Sequence, residues 1–147
     1  MPELPPKLDD LLATLDLLED RTDRIQYLID VADRFREVPE RLARRPFPEE
    51  HRVQGCESEA FVWAERRDDG TLDYHFAVEN PQGVSAKSLA VILGETLSGT
   101  RPEEALRLSN DVVYRVFGNE LSMGKSMGLI GMICKVQAEA RKLAASG

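Results

Sequence analysis

The sequence predicts an α+β fold in which a small antiparallel β-sheet of about three strands packs against N- and C-terminal helices. Three observations lead there. Apolar residues recur at three-and-four spacing from Leu8 to Phe35 and again from Leu129 to Leu143. Between these stretches, two runs rich in Phe, Val, Trp and Tyr flank Asp69-Gly70, a strong hairpin signal. The composition is that of a globular chain: 42% of the 147 residues are apolar, with ten glycines and eight prolines, which argues against disorder and excludes collagen-like or low-complexity architecture. With no internal repeat and no linker-like shift in composition, residues 1–147 read as one domain.

Leu8, Leu11, Leu12, Leu15 and Leu18 line one face of a first helix, with Asp9, Asp10, Asp16 and Glu19 turned outward. Thr22 or Asp23 offers an N-cap for a second helix, whose stripe is Ile25, Leu28, Ile29, Ala32 and Phe35 and which should stop before Pro39. Residues 39–52 carry Pro46, Pro48 and several charges and read as a loop. Val53-Gln54 is a candidate third strand beside the hairpin strands Ala60–Arg66 and Thr71–Glu79. Asn80-Pro81-Gln82-Gly83 is turn chemistry, after which an apolar helix opens at Ser85 or Ala86 and runs through Leu97 to end near Gly99. Pro102, after Thr100 as N-cap, starts a short helix to Leu108. Val112 to Phe117 reads equally as helix or strand. Leu129, Met132, Ile133, Val136, Ala140 and Leu143 draw the last helical stripe.

Charge and hydropathy narrow the function classes. The net charge of −7, with no basic block to follow a phosphate backbone, points away from nucleic acid. No apolar run approaches the roughly 20 residues that span a bilayer, and the acidic, proline-rich start Met1-Pro2-Glu3-Leu4-Pro5-Pro6 lacks the pattern of a secretory signal. A cytoplasmic protein is expected, and its two cysteines, 78 positions apart, read as free thiols.

Of these, Cys56 is the candidate for chemistry. It lies in Arg52-Val53-Gln54-Gly55-Cys56-Glu57-Ser58, where a proline-bearing loop meets a strand, and Gly55 permits a turn that most residues cannot make. Between Glu49 and Glu59 four glutamates face a single arginine, so this stretch supplies nothing to activate the thiol and suits an acceptor whose partner provides the activation. Cys134 falls about 140° around the last helix from Leu129, beside Ile130 and Arg141, and reads as incidental. A zinc site would need Cys56, Cys134, His51 and His75 to converge without any paired ligand spacing, so no metal is expected. Cys56 with His51 or His75 could instead form a thiol hydrolase pair, and a non-catalytic interaction module is a further alternative. Gly124-Lys125-Ser126 imitates the end of a phosphate-binding loop, but five residues lie between Gly118 and Gly124 where the loop requires four.

Val53-Gln54-Gly55-Cys56-Glu57-Ser58 resembles the V/I-x-G-C-x-S signature of the SufE family of sulfur-acceptor proteins. The resemblance extends to Tyr27-Leu28-Ile29, Val38-Pro39-Glu40, Ala86-Lys87-Ser88-Leu89 and Lys125-Ser126-Met127-Gly128-Leu129 followed by Met132, nearly the whole chain in order. Phe61, Ser88, Lys125 and Glu57 stand where the family usually has Trp, Gly, Arg and Gln. The resemblance implies a SufE-like fold and a Cys56 that receives sulfane sulfur from a pyridoxal-phosphate cysteine desulfurase (SufS-like), stimulates it and relays the sulfur to an iron–sulfur scaffold (SufBCD-like). It implies that Gln54, Gly55, Glu57, Ser58 and Lys125 contact the partner, that the thiol sits at a loop tip turned into an apolar hollow, and that the chain needs no cofactor of its own.

Overall fold

The computed structural model describes residues 3–56, 58–119 and 121–146. α1 (Pro6–Asp16) turns Leu8, Leu12 and Leu15 fully inward. α2 (Arg21–Ala32) is capped by Asp20, whose carboxylate accepts from the Thr22 N–H at 2.8 Å, so the cap precedes the expected Thr22 or Asp23. Its inward face is Leu28, Val31 and Ala32, while Ile25 and Ile29 stay exposed. The helix ends well ahead of Pro39 because Val38 is needed elsewhere. The Val38 N–H donates to the Phe76 carbonyl at 2.8 Å, so the chain must leave the helix to reach the sheet edge.

β1 (Ala60–Arg66) and β2 (Leu72–Val78) pair antiparallel, Ala60 opposite Val78 and Arg66 opposite Leu72, around a turn in which Gly70 adopts φ +87°. Two strands replace the expected three. Beside β1 the chain at 52–54 makes one bridge, Arg52 to Phe61, and one bond from Val53 N–H to the Ala60 carbonyl at 2.8 Å, before Gly55 at φ +76° turns it away. Alternation puts Ala60, Val62, Leu72, Tyr74 and Phe76 into the main core. The opposite face holds Phe61, Trp63 and Ala77, which the 39–52 loop covers with Phe47, joined by Val38. Phe61 packs on Phe47 with ring centroids 5.3 Å apart.

α3 (Val84–Leu97) packs on β2 and α2. Ser88 is fully buried there, its hydroxyl donating to the Leu28 carbonyl at 2.7 Å and tying α2 to α3. α4 (Pro102–Ala105) is shorter than expected, and Gln137 takes up the carbonyls of Ala105 and Leu108 at 3.1 and 2.8 Å. Thr100 is not its cap: the Thr100 hydroxyl donates to the Leu97 carbonyl and its backbone pairs with Leu72. The ambiguous 112–117 stretch is helical, α5 (Asp111–Phe117). Arg24 donates to the carbonyls of Arg115 and Val116 at its end and of Leu15 in α1, at 2.8, 3.0 and 3.1 Å, placing a cation at two helix C-termini. α6 (Met123–Ser146) begins six residues before the expected stripe, with the Ser122 hydroxyl accepting from the Lys125 N–H at 3.2 Å, and lies against β1. No described helix is long and apolar enough to cross a membrane.

On the loop-covered face, the Arg41 guanidinium bonds both oxygens of Glu65 and holds that carboxyl down at about 2, with His75 a lesser contact at 3.3 Å. A carboxyl depressed on folding stabilises fully above its ordinary value of 4.5 and loses that contribution as pH falls toward 2. Arg41→Ala should therefore lower Tm by a few degrees at pH 7 and hardly at all at pH 2. Thermal melts of both proteins across this range check it, and an equal loss at both ends would remove the electrostatic explanation.

Candidate functional site

Cys56 sits where the loop from the second core cluster turns into β1. Gly55 has open space around its α-carbon, so its positive φ, and not crowding, calls for glycine there. Past the cysteine the chain closes a tight turn, with the Glu59 N–H donating to the Cys56 carbonyl at 3.2 Å and Glu59 itself at φ +53°. A second turn lies alongside: the Asn80 N–H donates to the Ser58 carbonyl at 3.1 Å, and the Asn80 side chain accepts from the Gln82 N–H at 2.9 Å. Gly83, which opens α3, is pressed so close that a β-carbon there would lie 2.8 Å from Ser58 Oγ.

These turns and the first turns of α3 and α6 enclose a cleft of about 230 Å³. Cys56 and Ser58 line one side, Asn80, Gln82 and Val84 another, and Lys125 with Gly128 the α6 side. The thiol is half-buried and rests against the main core. The hollow is thus of mixed polarity, not purely apolar.

Of the residues anticipated from sequence, Cys56, Ser58 and Lys125 meet in this cleft. Gln54 and Gly55 are exposed on the approaching loop and do not line it, and Glu57 lies outside the described residues. Cys134 is exposed on α6. Neither histidine is at the thiol. The His51 Nδ1 sits 2.8 Å from the Val62 carbonyl and 3.1 Å from Glu139, and the His75 Nε2 is paired with Glu65. Among the described residues no hydrogen bond joins either ring to Cys56, and no group of three or more His, Cys, Asp or Glu could hold a metal. Gly124-Lys125-Ser126 opens α6 and forms no phosphate-wrapping loop.

Sequence reasoning passed over the floor of the cleft. A β-carbon on Gly128 would come within 3.1 Å of Cys56 Cα, and one on Gly131 within 2.5 Å of the Gln54 carbonyl oxygen. Two glycines one turn apart therefore let the Cys56 loop lie directly on the α6 backbone. The signal for it is the Gly-x-x-Gly spacing within an otherwise strongly helical stretch.

Fold and site together define an α+β protein that presents one half-buried thiol at a loop tip between two helix starts. The chain belongs to the SufE family: the family model, described as an Fe-S metabolism associated domain, matches residues 9–140. It is 28% identical over 138 residues to an uncharacterised SufE-like protein of Rhizobium meliloti, covering 90% of this chain and 94% of that one. Its fold matches the solution structure of a hypothetical protein from Thermus thermophilus at a TM-score of 0.75 and 28% identity, over 97% of this chain and 99% of the other. An association with iron–sulfur metabolism follows from the family.

Proposed function

We propose that this chain is a cytoplasmic sulfur acceptor, with Cys56 as its persulfide-carrying residue. The observation that carries the reading is the placement of one half-buried thiol on a turned loop, opening into a cleft that contains no histidine. The Cys56 thiolate attacks the outer sulfur of a persulfide on a pyridoxal-phosphate cysteine desulfurase. The donor S–S bond breaks, its electron pair leaves with the desulfurase thiolate, and a new S–S bond forms on Cys56. Atoms and electrons balance without an external oxidant. A partial enclosure also suits the product, because a persulfide held out of solvent meets fewer reductants and oxidants. The sulfur then passes to an iron–sulfur scaffold by the same exchange.

The surroundings suit a protein partner. Val84, Met123 and Met127, at the starts of the two helices that frame the cleft, are 43%, 80% and 58% exposed. Large apolar side chains clustered in water mark docking surfaces, and methionine adapts to varied partners. In this reading Gln54, Gly55, Ser58 and Lys125, with Glu57, contact the SufS-like desulfurase, and a SufBCD-like complex receives the sulfur. The hydrolase alternative has no geometric support, since both histidines are occupied elsewhere.

Intact mass after incubation with the organism's desulfurase and free cysteine tests the reading. One reducible added sulfur, absent in Cys56→Ser, is expected. No adduct with an active desulfurase in the tube would refute it.

A further inference from the structure

The helix beneath the cleft does more than make room. Gly128, Gly131, Lys135 and Glu139 follow at intervals of three, four and four, which puts them on one face of α6. Each meets the chain leading into Cys56, which runs antiparallel to the helix. Gly128 lies under Cys56 and Gly131 under the Gln54 carbonyl; Lys135 Nζ donates to the Glu50 carbonyl; and Glu139 Oε1 stands 3.1 Å from His51 Nδ1. Residues 50–56 are thus laid along a track. Its two ends differ in kind. At Cys56 the track offers only close van der Waals contact, whereas at His51 it is polar and enclosed.

Glu139 is only 5% exposed, and a carboxylate so buried persists only with partners. It has Lys142 Nζ at 2.8 Å, Lys135 Nζ at 4.0 Å and the His51 ring. Both groups facing His51 Nδ1, the Val62 carbonyl at 2.8 Å and the Glu139 carboxylate, are acceptors, so that nitrogen carries the hydrogen. The ring also stacks on Trp63, centroids 5.1 Å apart. His51 is therefore held on three sides by β1 and α6, five residues upstream of the cysteine. Along the helix, eleven residues separate Gly128 from Glu139, about 16 Å at 1.5 Å per residue.

We propose that His51 and Glu139 are positioning residues, a latch that fixes the root of the Cys56 loop to α6 and so sets where the thiol stands in its cleft. This rests on Cys56 as the working thiol, though not on what the thiol accepts. Root and tip then have separate duties. The root stays clamped, while the tip, which α6 meets only through glycines, is free to lift when a partner reaches into the cleft.

Alkylation of Cys56 by iodoacetamide tests the latch in a Cys134→Ser background, where one thiol remains. His51→Ala and Glu139→Ala should alkylate roughly tenfold faster than their parent, because local opening exposes the thiol. His51→Asn, which keeps a donor near the Nδ1 position, and Glu139→Gln, which keeps an acceptor, should stay within about twofold. Lys135→Ala should give an intermediate rise of roughly threefold and serves if the first two variants fail to fold. Arg24→Ala, which loosens helix ends away from the track, should lower Tm without accelerating alkylation. The latch is overturned by alanine variants that react at the parental rate, by Asn and Gln variants as fast as the alanines, by an unaccelerated Lys135→Ala, or by Arg24→Ala rising equally. A latch that passes while Cys56 accepts no sulfur would leave the positioning role standing and refute the acceptor reading alone.

Discussion

Cys56→Ser is expected to lose all stimulation of the partner desulfurase while still binding it. Serine preserves the size of the side chain and the turn around Gly55, so the surface offered by Val84, Met123 and Met127 is unchanged. What it removes is the one thiol among the described residues of the cleft, the group that in the proposed reaction opens the donor persulfide, since a hydroxyl neither ionises near neutral pH nor forms a sulfur–sulfur bond. Cysteine turnover in a steady-state assay should fall to the rate of the desulfurase alone, with the dissociation constant within about threefold of wild type, a difference under about 0.7 kcal/mol. Cys134→Ser, altering an exposed thiol on α6, should stimulate like wild type. Loss of stimulation in Cys134→Ser with Cys56 intact would move the reactive residue away from the cleft.

Gly131→Ala is the second large effect, and it runs against the usual trend. In an ordinary helix interior, alanine in place of glycine stabilises by about 1 kcal/mol. Here the added β-carbon would lie 2.5 Å from the Gln54 carbonyl oxygen, a backbone atom that no rotamer change can move aside. Overpacking of this kind costs about 1–3 kcal/mol, and with a rigid neighbour the upper end applies, leaving a net loss of about 2 kcal/mol. For a chain of this size that corresponds to a Tm lower by about 4–8 °C. The Cys56 loop must also shift, so sulfur acceptance should slow by more than the stability loss explains. Gly128→Ala, where the nearest atom would be at 3.1 Å, should be milder on both counts. A higher Tm for Gly131→Ala would show that the loop does not rest on the helix as described.

Much of the fold and the candidate thiol are legible in the order of residues along the chain. Leu8, Leu12 and Leu15 announce α1, Asp69-Gly70 announces the hairpin, and Gly55 beside Cys56 marks the turn that displays the thiol. Each of these is a local matter, decided by spacing along the chain or by the φ one residue can adopt. The features that sequence patterns misplace share the opposite property. α2 stops at Ala32 because Val38 bonds Phe76, and where Gly55 turns the Val53-Gln54 segment away from β1 its Gln54 carbonyl is laid on Gly131. His51 reads as a possible catalytic base because nothing near it in sequence reveals Glu139, 88 positions away.

By itself the sequence determined the α+β class, most of the helical segments and the hairpin, the thiol to watch and the family. Only the tertiary structure decided which residues share the cleft, what holds each histidine away from the thiol and why α6 needs glycines at 128 and 131. The reason is physical: periodicity and turn chemistry act between neighbours on the chain, whereas close approach and burial arise between segments that meet only on folding.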